Sequence, residues 1–236
     1  MMKKWTAALL ACMMMCMFVS GAMAADKCSH TAMPGYKSVY FEGFEDDSTL
    51  DFADLDGDGF EWYWDDPGEA CDGVWVMRSD SWSGETLEGL RPDNWLILPK
   101  MSLSSNSLMT FRARCYNEEW PAEHFGVYVA TKDSNYEGFE EIDSYTLTAE
   151  NVNWTTFQID LSAYAGQRVR LAFRHWDCYD QEALHLDCVH VWAPDSKTAA
   201  SLPSTGDDSN IALWIGLMAI SFLGAAVLSR KAKKAC

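Results

Sequence analysis

An all-β sandwich or barrel is the fold class that this sequence predicts for residues 37–193. Three observations predict it. Short segments rich in Val, Phe, Tyr, Trp and Thr recur throughout the stretch. Clusters of Gly, Pro, Asn or Asp separate most of them. No part of it repeats apolar residues at a helical period. Short strands at regular spacing, bounded by turn residues, are the pattern of a sandwich or barrel.

The predicted strands, in order, are residues 38–44, 73–78, 94–98, 108–115, 125–131, 154–161, 168–175 and 184–192. Phe125-Gly126-Val127-Tyr128-Val129 and Val169-Arg170-Leu171-Ala172-Phe173 alternate as half-buried strands do. The tryptophans of this stretch, among eleven in the chain, supply large core pieces and some exposed binding surface.

The two ends of the chain carry different signals. Lys3 and Lys4 precede an apolar run and the small residues Gly21, Ala22, Met23 and Ala24. Charge, apolar core and an A-x-A end in that order predict a secretory signal peptide over residues 1–24. At the other end stand Leu202, Pro203, Ser204, Thr205 and Gly206. An uncharged apolar run of 19 residues, 211–229, follows, then a basic tail over 230–236. The run is long enough to span a bilayer as a helix, and the basic tail holds that helix's end in the cytoplasm. Pentapeptide, span and positive tail together resemble a sortase sorting signal. The resemblance implies cleavage between Thr205 and Gly206 and transfer of Thr205 to an amine of a peptidoglycan precursor or a pilin subunit. The precursor is then held in the cytoplasmic membrane, and the product is secreted and wall-anchored. Residues 194–201 form a short linker that reaches roughly 28 Å when extended.

Composition narrows the partners. The full chain has a net charge of −17. Loss of Lys3 and Lys4 with the leader, and of four basic and two acidic residues with the tail, leaves the mature chain near −21. So acidic a surface argues against nucleic acid and anionic lipid and suits a cation-binding extracellular protein. The mature chain keeps Cys28, Cys71, Cys115, Cys178 and Cys188. An extracellular location permits disulfides, and an odd count leaves at least one thiol outside intramolecular bridges. The sequence does not choose among the pairings. No C-x-x-C pair is present, which argues against a structural zinc site.

The stretch from Glu42 to Asp72 holds thirteen acidic residues and no Lys or Arg. Within it lies Asp54-Leu55-Asp56-Gly57-Asp58-Gly59. Alternating carboxylates on a Gly-rich turn converge on one point, and hard oxygen ligands suit Ca²⁺. Glycine permits the backbone angles that turn carbonyls inward. The loop is not an EF-hand, because it lacks the Glu six residues after its Gly and no helices flank it.

Further pieces occur in a fixed order. They are Phe41-Glu42-Gly43-Phe44, the Asp54–Gly59 run with Trp62, Pro92-Asp93-Asn94-Trp95-Leu96 with Pro99, and Glu123-His124-Phe125-Gly126-Val127-Tyr128-Val129. Leu161-Ser162-Ala163-Tyr164-Ala165-Gly166-Gln167, Ala172-Phe173-Arg174-His175 and Leu186-Asp187-Cys188-Val189 complete the series. The series resembles the cleaved-adhesin domains, also called choice-of-anchor J domains, known from gingipain adhesin regions. The resemblance implies a jelly-roll β-sandwich, galactose-binding or MAM-like, with structural calcium. That family usually ends in Leu-Asp-Asp-Val, and Cys188 replaces the second Asp here. Asp187 remains a candidate ligand with Glu42 of the first strand, and Asp180 is a further candidate. The expected metal ligands are therefore Glu42, Asp54, Asp56, Asp58 and Asp187.

No G-x-S-x-G, H-E-x-x-H or phosphate loop marks an enzyme. His30, His124, His175, His185 and His190 are scattered, with His175 expected to pack or hydrogen-bond inside the sandwich. His185 and Asp187 are expected on one face of the last strand and His190 on the other. A glycosidase needs a carboxylate pair at a set separation, and nothing singles one out. The expected function is binding of a glycan or protein ligand, with Trp62, Trp64, Trp82 and Trp120 as candidate contacts. The alternatives are a structural wall or pilus subunit and, third, a surface hydrolase.

Overall fold

The computed structural model describes residues 33–195, apart from 47–48 and 133–135. The expected signal peptide, sorting motif, membrane span and basic tail, together with Cys28, lie outside the described residues.

Fourteen strands form the described chain. The first seven are β1 (Tyr36–Glu42), β2 (Asp51–Asp54), β3 (Tyr63–Asp65), β4 (Val76–Asp80), β5 (Trp82–Ser83), β6 (Glu88–Gly89) and β7 (Asn94–Ile97). Then follow β8 (Met101–Ser102), β9 (Leu108–Cys115), β10 (His124–Ala130), β11 (Glu140–Thr146), β12 (Thr155–Asp160), β13 (Arg168–His175) and β14 (Ala183–Pro194). Short 3₁₀ turns supply the only helical residues among those described.

Two antiparallel sheets face each other. One runs β12-β9-β14-β4-β3, with β1 also on β14. The other runs β11-β10-β13-β7-β2, with β8 also on β13. The strands β9 and β13 show why these residues fold this way. In β9 every second residue is buried, namely Met109, Phe111, Ala113 and Cys115. Arg112 and Arg114 alternate with them on the other face. Period-two patterning of this kind fixes register, because a one-residue slip would expose the whole apolar set.

Between the sheets, Phe111 is the centre of the core. Its ring stacks on Phe157 at 5.2 Å and meets Phe173 edge-on at 4.9 Å. It also meets Phe125 edge-on at 6.0 Å. Phe125 and Phe173 belong to the facing sheet, so this contact joins the two layers. Replacing Phe111 by Ala removes the hub and leaves a cavity. Chemical denaturation is expected to show a loss of about 3–5 kcal/mol, and a loss under 1 kcal/mol would mean that the core collapses around the gap.

The last strand, β14, positions the site described below. One of its edges pairs with β9 along nearly its whole length. Its other edge is shared: β4 takes Ala183–Leu186 and β1 takes Val189–Pro194. Between those two partners the register on β9 shifts, from Asp187 opposite Arg112 to His190 opposite Thr110. Cys188 sits at this bulge with φ +53°, a left-handed angle unusual for a residue other than Gly, Asn or Asp. The bulge switches the side-chain parity. Leu184 and Leu186 point into the core before it, and Val189 and Val191 after it. The expected separation of faces is therefore corrected. His190 follows His185 and Asp187 on the outer side, where its ring lies between Phe41 and Trp192.

Candidate functional site

The acidic loop follows β2 directly. Asp54 accepts hydrogen bonds from the backbone N–H of Gly57 at 2.6 Å and of Gly59 at 2.9 Å. Asp56 accepts from Asp58 N–H at 3.3 Å and, across the fold, from Asp93 N–H at 3.0 Å. Gly57 and Gly59 hold φ values of +73° and +87°, which fold the loop back on itself. The result gathers one carboxylate oxygen each from Asp54, Asp56 and Asp58 within 4.8 Å of one another.

That crowding changes the chemistry of the pair Asp54 and Asp56. Partial burial and the hydrogen bond with Asp54 push the Asp56 carboxyl up to about 7, whereas Asp54 is lowered by the same hydrogen bond. Two carboxylates close enough to share one proton are close enough to share a cation. Each bonded oxygen keeps a second lone pair for a metal.

Glu42 and Asp187 lie apart from that loop. They flank the bulge, with Glu42 paired to Val189 where β1 ends. Asp187 is fully buried, at the point of β14 between the residues that pair with β4 and those that pair with β1. Its Oδ2 accepts from the backbone N–H of Cys71 at 2.8 Å and Asp72 at 2.9 Å, and its Oδ1 from Cys188 N–H at 2.6 Å. Burial pushes the Asp187 carboxyl up to about 7 in spite of those three donors. Glu42 Oε1 accepts from Phe44 N–H at 2.8 Å, and Oε2 from the Tyr40 hydroxyl at 3.2 Å. A Cβ on Gly43 would come within 2.8 Å of an Asp72 oxygen, so the Glu42–Phe44 turn lies close against Asp72. The five expected ligands thus fall into one triad and, separately, the two residues beside the bulge. Asp72 joins the second group, and nothing local in the sequence set it apart from the acidic residues around it.

Cys188 is disulfide-bonded, so its sulfur is not a thiolate ligand although it approaches Cys71 and Asp187. Cys71, Cys115 and Cys178 carry thiols.

The candidate aromatic contacts separate by exposure. Trp62 is 2% exposed and donates its indole N–H to the Asn94 carbonyl, so it is core and not a ligand contact. Trp120 is 54% exposed. With Trp82, Asn117, Asp180 and Glu182 it lines a cleft of about 330 Å³. Asp180 thus borders this cleft and not the acidic loop. Trp64 faces a shallower depression of about 240 Å³ beside Trp75.

One buried polar cluster was not anticipated. Glu123 and His175 meet in the interior with Cys178. The one local hint is the His-x-x-Cys spacing of His175 and Cys178. Their contact with Glu123 crosses 52 residues.

Comparison with known proteins agrees with this architecture. The Cleaved Adhesin Domain family matches residues 38–191, and the LPXTG cell wall anchor motif matches residues 194–235. Hemagglutinin A of Porphyromonas gingivalis (strain ATCC BAA-308 / W83) is 34% identical over 162 residues, which cover 58% of this chain and 7% of that protein. Gingipain R1 of Porphyromonas gingivalis (strain ATCC 33277) is 28% identical over 158 residues, or 59% of this chain and 9% of that protein. The chain thus spans under a tenth of the length of either relative. Among solved structures, the K1 cleaved adhesin domain of Lys-gingipain from Porphyromonas gingivalis W83 aligns with a TM-score of 0.60 at 25% identity. That alignment covers 66% of this chain and 98% of the domain. The K3 domain of the same protein aligns with a TM-score of 0.58 at 24% identity, covering 66% of this chain and 100% of the domain, a likeness of fold.

Proposed function

From a chain that belongs to the Cleaved Adhesin Domain family and carries an LPXTG cell wall anchor motif, we propose a surface adhesin whose β-sandwich binds a glycan. Sortase is the partner that attaches it to the wall. The activity is recognition and not catalysis.

The observation that carries the glycan reading is the cleft between Trp82 and Trp120. A small recess with aromatic walls and a few convergent polar groups is the usual form of a small-ligand site. Here Asn117, Asp180 and Glu182 supply the polar groups. Asn117 donates to Glu182 at 2.7 Å, which orients both for hydroxyl partners. The exposed ring of Trp120 offers a flat apolar face for a sugar ring.

The test is a glycan and matrix-protein array probed with the purified chain. Glycan binding is expected, and Trp120→Ala is expected to weaken it by about 30-fold, the size of a hot-spot residue worth about 2 kcal/mol. Because Trp120 is largely outside the core, the melting temperature should not move. A blank glycan array, or undiminished binding by Trp120→Ala, would remove this reading. Binding to proteins alone would replace the ligand class.

Calcium belongs to the same proposal as a structural ion. Asp54, Asp56 and Asp58 offer oxygen donors in the pattern that Ca²⁺ prefers. Glu42 and Asp187, with Asp72, would hold a second ion at the strand bulge. Ions at these places would neutralise carboxylates that the fold forces together, and would supply no chemistry of their own.

A second reading, a structural wall or pilus subunit, is favoured by one feature. Pro194 ends β14, so the expected linker shortens to the seven residues of 195–201, which reach only roughly 25 Å, too short to carry a wall-attached sandwich through a thick wall. Array binding separates the two readings.

A further inference from the structure

We propose that Glu123, His175 and Cys178 form a binding site for a divalent transition-metal ion of the zinc type. The inference does not rest on the adhesin reading.

Glu123 Oε2 lies 2.9 Å from His175 Nε2. Cys178 Sγ lies 3.2 Å from the same nitrogen and 3.4 Å from the same oxygen. Three donor atoms of different kinds therefore form one small triangle. In a tetrahedral zinc site with the usual bond lengths, such ligand atoms stand about 3.3–3.6 Å apart. Each observed edge is within about 0.4 Å of that range, so an ion enters with small side-chain adjustments. A Glu–His ion pair explains two of these groups. It does not explain why a thiol is brought to the same point.

The surroundings hold the donors as ligands are held. Glu123 and His175 are both fully buried. The outer oxygen of Glu123, Oε1, accepts from the Ser81 hydroxyl at 2.8 Å. The outer ring nitrogen of His175, Nδ1, lies 2.8 Å from the Ser79 hydroxyl, which Asn94 also contacts at 3.1 Å. Outer partners that fix ring orientation and leave the inner atoms convergent are the usual second layer of a metal site. Adjacent strands supply the first two ligands, since His175 ends β13 opposite Phe125 of β10 and Glu123 directly precedes β10. The third comes from a loop pinned from beneath. Ser81 accepts Asp180 N–H with its carbonyl at 3.0 Å and Gln181 N–H with its hydroxyl at 3.0 Å. Asp177 takes a left-handed φ of +53°, which turns the chain just before Cys178.

Charge balance permits the exchange. With a proton on Nε2 and one on the thiol, the triad of carboxylate, imidazolium and thiol is neutral. A dication that displaces both protons to solvent leaves carboxylate, imidazole, thiolate and metal, again neutral. The interior therefore carries no new net charge. Access is present as well. Cys178 borders a cavity of about 400 Å³ with Arg91, Asp93, Arg174 and Tyr179 on its walls. Three protein ligands and an open side is the arrangement that leaves a fourth position for an exogenous ligand.

The test uses the purified full chain titrated with Co²⁺ as a coloured substitute for Zn²⁺. One equivalent is expected to produce tetrahedral ligand-field bands and a thiolate-to-metal charge-transfer band, both bleached by Zn²⁺. Cys178→Ser should abolish the charge-transfer band while melting normally without metal, since Cys178 is the partly exposed member. Ser79→Ala should weaken the affinity about 10–100-fold, as loss of an outer partner does. Asp54→Ala with Asp56→Ala should leave the band unchanged. Co²⁺ binding without a thiolate band, or an equal band in Cys178→Ser, overturns the proposal and leaves a buried ion pair with a neighbouring thiol.

Discussion

Thr205→Ala is expected to abolish covalent attachment to the wall. On this reading the uncharged apolar run of 19 residues would stall in the bilayer, with the basic residues behind it kept on the cytoplasmic side. The pentapeptide from Leu202 to Gly206 would then be presented just outside the membrane to a sortase. The LPXTG cell wall anchor motif match over residues 194–235 contains all three parts. Acyl transfer needs the carbonyl of a residue that the enzyme accepts at the cleaved position, and Ala lacks the Thr hydroxyl and methyl that a pocket would read. The variant should keep its fold, because Thr205 follows the end of β14 at Pro194 in sequence, and should accumulate in membrane or medium. Muramidase-released wall fragments provide the measurement. Equal recovery of wild type and variant in those fragments would show that another sequence does the anchoring.

The strands with strong period-two patterning were legible from sequence alone. Residues 108–115 and 168–175 were expected as strands and are β9 and β13 with those bounds. The strand β11 was not anticipated. Its sequence Glu-Glu-Ile-Asp-Ser-Tyr-Thr carries polar residues on both faces, as an edge strand permits. The short strands β2 and β3 were hidden by the acidic stretch, where like charges mask the few apolar positions that pair. Bulges are the other blind spot. The parity switch at Cys188 depends on two different strands sharing one edge of β14, and no local pattern announces that. For the candidate sites the division is similar. Asp54, Asp56 and Asp58 converge because they are neighbours on one turn, so spacing revealed them. Asp187 was marked by family resemblance, and its burial beneath the backbone of Cys71 and Asp72 came from the fold. Glu123, His175 and Cys178 escaped notice as a group because sheet pairing alone brings the first two together.

Chelation is expected to lower the melting temperature of the protein, and millimolar Ca²⁺ to restore it. Asp54, Asp56 and Asp58 place carboxylate oxygens within 4.8 Å of one another, and Asp187 is buried beside Asp72. Without a cation, folding opposes the charge on Asp56 and Asp187. The raised values of Asp56 and Asp187, both about 7, express that opposition. The sign follows from linkage. A carboxyl whose folded value lies above its unfolded value of about 3.9 favours the fold when protonated. Its contribution is complete below about pH 4 and is lost as pH rises through about 7. The chelated protein should therefore melt at a lower temperature at pH 8 than at pH 5. A bound Ca²⁺ reverses the preference by stabilising the ionised groups, and the decline with pH should flatten. At a hundredfold excess over the dissociation constant, the ion adds about 2.7 kcal/mol by mass action. For a domain of this size that is about 5–10 °C in Tm. Mg²⁺ should substitute poorly, because it demands a tighter octahedral shell and gives up its waters reluctantly. Asp56→Ala combined with Asp58→Ala should remove most of the response, and what remains would report the Glu42–Asp187 end of the fold. Thermal melts with chelator, with Ca²⁺ and with Mg²⁺ at matched ionic strength, each at pH 5 and pH 8, provide the measurement. Superimposable melts under all three conditions would mean that the loop is a solvated acidic face and that the sandwich holds these carboxylates without a metal.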